Sequence, residues 1–122
     1  MSDNWPTELR VSKDRRLLSV TFSDGASFAL PAEMMRVLSP SAEVQGHGPG
    51  QKVTVPGKRE VGIVSITPAG NYAVRVGFDD GHDSGIFTWP YLRELGDDGA
   101  RMFMEYEQEL AEKGLSRDAS KR

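Results

Sequence analysis

The chain has 122 residues, 38% hydrophobic and 27% charged, with a net charge of −3. That length suits one domain with a modest core. It contains no cysteine, which excludes disulfides, thiolate catalysis, iron–sulfur ligation and cysteine–zinc sites within this chain. The acidic balance argues against a nucleic-acid partner, because neutralised phosphates supply much of that affinity. No apolar run approaches the ~20 residues of a membrane span, so no membrane partner is expected. Met1 to Pro6 lacks the basic and apolar start of a signal peptide, which sets a cytoplasmic expectation.

In chain order, Leu9 and Val11 alternate with polar neighbours, as do Leu18, Val20 and Phe22, and both stretches read as strands. Ser23-Asp24-Gly25 follows, a hairpin signal because glycine accepts the positive φ of such turns. Phe28 and Leu30 continue the returning strand. Pro31 then opens a short helix, predicted over Ala32 to Leu38, with Met34, Met35 and Leu38 on one face.

Residues 39–60 are rich in Gly and Pro and read as a loop. Val53 and Val55 suggest a short edge strand ended by Pro56-Gly57, and Lys58-Arg59-Glu60 a solvated link. Val61, Ile63 and Ile66 begin a second half, and Pro68-Ala69-Gly70-Asn71 reads as a turn. Tyr72, Val74, Val76 and Phe78 alternate as the clearest strand in the chain. Asp79-Asp80-Gly81 repeats the turn chemistry, a strand covers Gly85 to Thr88, and Trp89-Pro90 starts a short helix that Gly96 is expected to close. The halves echo each other: strand, Asp-Gly turn, strand, proline-started helix.

A third helix is predicted from about Gly99 to Lys113, capped by Asp97-Asp98. Its apolar stripe is Met102, Phe103, Tyr106 and Leu110, and Glu109 and Lys113 form an i,i+4 pair on it. Packing of the stripe on its own sheet is favoured over packing on another chain. Gly114 ends it, and Leu115 to Arg122 reads as a polar, disordered tail. The fold class is therefore α+β: an antiparallel sheet built from two hairpins, short helices on one side, and a C-terminal amphipathic helix. The expected organisation is a domain over 5–96, a helix over 97–114 and a tail over 115–122.

Three segments carry a family resemblance: Ser39 to Gln51, Gly70 to Val74, and Phe78-Asp79-Asp80-Gly81-His82-Asp83-Ser84-Gly85-Ile86-Phe87-Thr88-Trp89. Together they resemble the gamma-butyrobetaine hydroxylase-like N-terminal domain family, from about Trp5 to Gly96. Many bacterial members of that family are free-standing and have no assigned function. The resemblance implies a zinc site made of three cysteines and one histidine. Carried onto this sequence, the cysteine positions fall on Ser39, Ser41 and Val44, and the histidine on His82. Serine hydroxyls are poor zinc ligands and valine is none, so no zinc or other cofactor is expected. Ser39 before Pro40 instead predicts a short helical turn at residues 39–44, held by capping and packing.

No catalytic residues are readable. His47 lies in a glycine-rich loop that is not a Walker motif. His82 reads as a hydrogen-bonded turn residue. Asp79, Asp80 and Asp83 are oxygen-rich but lack calcium-loop spacing. The candidate binding surface is His47, Gln51, Asp80, His82, Asp83 and Trp89. The expected function is a non-catalytic binding or adaptor module for a protein partner, with a homodimer left open. The family's occurrence beside iron–sulfur P-loop ATPases and 2-oxoglutarate oxygenases implies a link to metal-cofactor assembly or oxygenation. The alternative is a degenerate metal-binding domain using His82 with nearby aspartates or His47.

Overall fold

Gly25 and Gly81 both adopt φ +91°, a conformation in which a side chain is strained. Each closes the same tight turn. Gly25 N–H donates to Phe22 O (2.9 Å) and Gly81 N–H to Phe78 O (3.0 Å). The strands flanking these turns build two separate antiparallel sheets rather than one. In the computed structural model, which describes residues 5–45 and 53–119, the first sheet contains β1 (Pro6–Val11), β2 (Leu17–Phe22) and β3 (Ser27–Pro31), in that order. The second contains β4 (Ile63–Ala69), β5 (Ala73–Phe78) and β6 (Gly85–Thr88), also in sequence order. Each sheet carries an irregularity in its first strand, between Pro6 and Glu8 and between Ile63 and Ser65. The sequence echo is thus a repeated three-stranded meander followed by a helix.

The helices are α1 (Ala32–Val37), α2 (Ala42–Gln45) and α3 (Trp89–Glu112). Leu18, Val20 and Phe22 alternate inward from β2, and Val74, Val76, Phe78 and Phe87 come from the second sheet. They meet Met35 and Val37 of α1 and Leu92, Leu95, Tyr106 and Leu110 of α3 in one core. Burying each such side chain contributes on the order of 1.5–3 kcal/mol. Met102 and Phe103 pack against that cluster, so the stripe of α3 covers its own domain.

Four sequence expectations are corrected. Gly96 does not end a helix: α3 runs 24 residues without a break, its N-cap Thr88 accepting from Tyr91 N–H. The reason is tertiary, since a Cβ at Gly96 would lie 2.5 Å from the Phe28 ring and one at Gly99 would lie 2.7 Å from Met34 Sδ. Glycine there serves close packing, not termination. Residues 53–56 form no strand. They are instead laid on α3, with Tyr106 Oη donating to Val55 O (2.5 Å) and Thr54 Oγ1 to Glu109 Oε1 (3.2 Å). Lys113 Nζ donates to the same Thr54 hydroxyl (2.8 Å), so the expected Glu109–Lys113 pair is bridged through threonine. The turn expected at Pro68 falls later, because β4 continues to Ala69 and Gly70 takes φ +63°.

Fourth, residues 115–119 are tied down rather than loose. Gly57 N–H donates to Ser116 O and Arg59 N–H to Arg117 O. Arg117 forks onto Glu33, and Arg59 pairs with Asp118. Gly114 does end the preceding helix, at φ +68°.

Candidate functional site

α1 ends at Val37, and the chain passes through Ser39, Pro40 and Ser41 into the single turn of α2. The predicted helical turn exists, displaced from 39–44 to Ala42–Gln45. Val44 and Gln45 N–H groups bond Ser41 O (3.0 and 2.9 Å). Ser39 works one step earlier: its Oγ accepts from Ser41 N–H (3.2 Å), and Gln45 Nε2 donates to Ser39 O (2.9 Å). Val44 is 1% exposed and packs inward.

Opposite this turn lies the segment between β5 and β6. Ser39 Oγ is 3.0 Å from His82 Nε2, and Ser41 Oγ is 2.8 Å from Ser84 Oγ. Ser39, Ser41 and His82 are all buried. Gly85 completes the fit, since a Cβ there would overlap the Ser39 hydroxyl. Two segments 43 residues apart in sequence therefore meet here, and their polar atoms bond to one another.

Asp80 sits beside this site. Its carboxylate takes Arg36 Nε (2.7 Å) and Lys58 Nζ (2.6 Å), and its Oδ1 accepts from His82 N–H (3.1 Å). Burial works to raise its pKa, but the bonds from Lys58, the His82 amide and Arg36 outweigh it and hold the carboxyl at about 2. Lys58 is thus an ion-pair partner, not a solvated linker residue.

The other candidate residues are scattered. Asp83 is exposed. Trp89 lies at the far end of the β5–β6 hairpin, where its Nε1 donates to Asn71 O (3.2 Å). His47 and Gln51 lie outside the described residues. The structure brings Asp80 and His82 together and leaves Trp89 apart from them. Phe87 is core, while Tyr72 is 56% exposed.

A feature the sequence reading missed is a cavity of about 480 Å³ beside β3. Phe28, Met34, Leu95, Phe103 and Arg117 are among its lining residues. β3 is an edge strand. Phe22 N–H bonds Ala26 O and Ala32 N–H bonds Arg16 O. By alternation, Phe28 and Leu30 direct their backbone groups at β2, and Ala29 directs its N–H and C=O away from the sheet. Among the described residues, no strand pairs there. The other edge of this sheet, β1, carries Pro6 and the Arg10–Glu8 ion pair, the usual protection of an edge. β3, Ser-Phe-Ala-Leu-Pro, also has a proline at one end but carries no charge.

Residues 9–93 match the family model described as gamma-butyrobetaine hydroxylase-like, N-terminal. The chain belongs to this family. Two solution NMR structures resemble this gamma-butyrobetaine hydroxylase-like domain closely. One is 46% identical, covers 96% of this chain and 92% of its own, and superposes with a TM-score of 0.81. The other is 41% identical, covers 98% and 89%, and has a TM-score of 0.82. A crystal structure of a DUF971-family protein of unknown function from Acidithiobacillus ferrooxidans is 40% identical. It covers 75% of this chain and 91% of its own, with a TM-score of 0.62. No curated protein matches.

The zinc implied by the family resemblance does not fit the residues this domain presents. Two hydroxyls, one valine and one imidazole make a donor set too weak and too few for that ion. Among the described residues, no three His, Cys, Asp or Glu side chains converge on a common metal position. Nor, among them, is any helix long and apolar enough to cross a membrane.

Proposed function

We propose that this domain is a non-catalytic protein-binding module whose docking site is the outer edge of β3. One observation carries the reading: the outward backbone groups of Ala29 lie beside the apolar cavity formed by Phe28, Met34, Leu95 and Phe103. An extended peptide segment satisfies both features at once. Its backbone pairs with Ala29, and an alternate apolar side chain enters the cavity. The uncharged edge and the absence of net charge in the cavity, where Arg117 and Glu33 neutralise each other, favour an apolar anchor over a charged one. The partner is a protein presenting such a segment, and the family's associations direct the search toward metal-cofactor assembly and oxygenase proteins.

The test uses linear peptides selected against the whole chain from a random library. They are expected to be rich in alternating apolar residues and to shift the amide resonances of Ser27 to Leu30. Ala29→Arg, an exposed position, is expected to weaken them at least tenfold with the fold intact. Peptides that bind the 79–85 segment instead, and ignore Ala29→Arg, would overturn the reading.

A further inference from the structure

We infer that the Ser39–His82 pair replaces a coordination bond with a hydrogen bond: the Nε2 lone pair of His82 receives the hydroxyl proton of Ser39. Three of the positions implied for metal by the family, Ser39, Ser41 and His82, are buried on two facing segments here, yet the donors do not suit zinc. What joins them is geometry of another kind. Ser39 Oγ already accepts Ser41 N–H at 3.2 Å. Its own proton is therefore available to donate, and Nε2 stands 3.0 Å away. Nε2 acting as the acceptor corresponds to the tautomer that carries its proton on Nδ1. Ser41 and Ser84 add a second hydroxyl link at 2.8 Å. Val44, at the fourth position the resemblance implies, is 1% exposed.

The arrangement is a clasp between the turn at α2 and the β5–β6 segment. It crosses 43 residues of sequence at both links. The Ser39–His82 link is buried and the Ser41–Ser84 link partly so, and an unmade bond out of water is expensive. Gly85 leaves room for the Ser39 hydroxyl, so the backbone on both sides is fitted to it. Order that relatives with a metal would draw from the ion comes here from side-chain packing and two hydrogen bonds.

Two measurements on the unmodified chain test this. Long-range proton–nitrogen NMR of His82 is expected to show an unprotonated Nε2 and a protonated Nδ1. The thermal midpoint is expected to be the same in zinc and in chelator, with no metal retained after gel filtration from a stoichiometric zinc solution. A protonated Nε2 would overturn the clasp, as would tightly held zinc whose removal lowers the midpoint. Ser39→Ala is expected to reduce the folding equilibrium constant about tenfold, and Ser39→Thr, which keeps the hydroxyl, to recover the Nδ1–H form of His82. A Ser39→Ala chain as stable as the parent would also contradict it.

Discussion

Arg117 grips Glu33 with two hydrogen bonds of 2.7 Å each, joining the C-terminal tail to α1 across 84 residues. Glu33 is 8% exposed, so its carboxylate depends on that guanidinium. The same guanidinium lies 5.2 Å from the centre of the Phe103 ring and walls the cavity beside β3. The tail therefore shapes the proposed docking site as well as stabilising the fold.

Removing this grip has a calculable outcome. Arg117→Ala strands a buried carboxylate, and breaking such a pair costs about 3 kcal/mol. Truncation after Gly114 is expected to do at least as much, because the bonds of Ser116 O and Arg117 O to Gly57 and Arg59 are lost too. Urea denaturation of both variants checks this. Unchanged midpoints would mean the tail does not hold.

Gly96→Ala sets two effects against each other. Alanine in a helix interior gains up to about 1 kcal/mol over glycine. Against that, the added Cβ would approach three Phe28 ring carbons at 2.5 to 2.7 Å, and forcing such an overlap costs about 1–3 kcal/mol. The expected result is net destabilisation, together with displacement of Phe28 and loss of peptide binding at the adjacent cavity. Thermal unfolding and the peptide titration report the two consequences separately.

Asp80 gives the acid limb of stability. Its folded pKa of about 2 lies below the ordinary 3.8, so its contribution is complete above pH 4 and is lost as pH falls toward 2. The depression corresponds to about 2 kcal/mol. Asp80→Asn is expected to lower stability by about that much at pH 7, since Arg36 and Lys58 lose their shared anion. Arg36 also has a second nitrogen, Nη1, buried without a hydrogen-bond partner among the described residues. The difference between Asp80→Asn and the parent should close as the pH approaches 2, as read by denaturation at several pH values.

Tyr91 and Tyr106 set the alkaline limb. Burial pushes both phenols up to about 12, with Glu94 adding to the rise at Tyr91 and Glu33 at Tyr106. Each donates its proton to a carbonyl, Leu38 O and Val55 O respectively. A folded pKa above the unfolded 10 means stability that is full below pH 10 and declines between 10 and 12. Tyr106→Phe is expected to lose about 1 kcal/mol at pH 7 and to flatten part of that decline, followed by near-ultraviolet titration and denaturation.

Legibility in the sequence divided along physical lines. The two hairpins could be read because Asp-Gly turns and strand alternation are local signals, and Gly25 and Gly81 have the backbone they imply. The unbroken α3 could not, because Gly96-Asp97-Asp98-Gly99 looks like a helix boundary, whereas the glycines answer to Phe28 and Met34 on other elements. The meeting of Ser39 and Ser41 with the segment of His82 was implied only by family resemblance, since nothing in their spacing brings them together. An open edge at β3 depends on strand order, a property that composition does not encode. The tail misled because polarity conceals a side chain such as Arg117 with a buried partner waiting for it.

Hydrogen–deuterium exchange at the Ala29 amide, with and without a bound peptide, probes the docking claim most directly. That N–H points outward with no strand beside it among the described residues, so exchange in the free domain should be fast for a strand residue. On binding it should slow by at least an order of magnitude, while Phe28 and Leu30, already bonded to β2, change little. An Ala29 amide that is equally exposed in the complex, with new protection arising elsewhere on the domain, would contradict strand addition at β3.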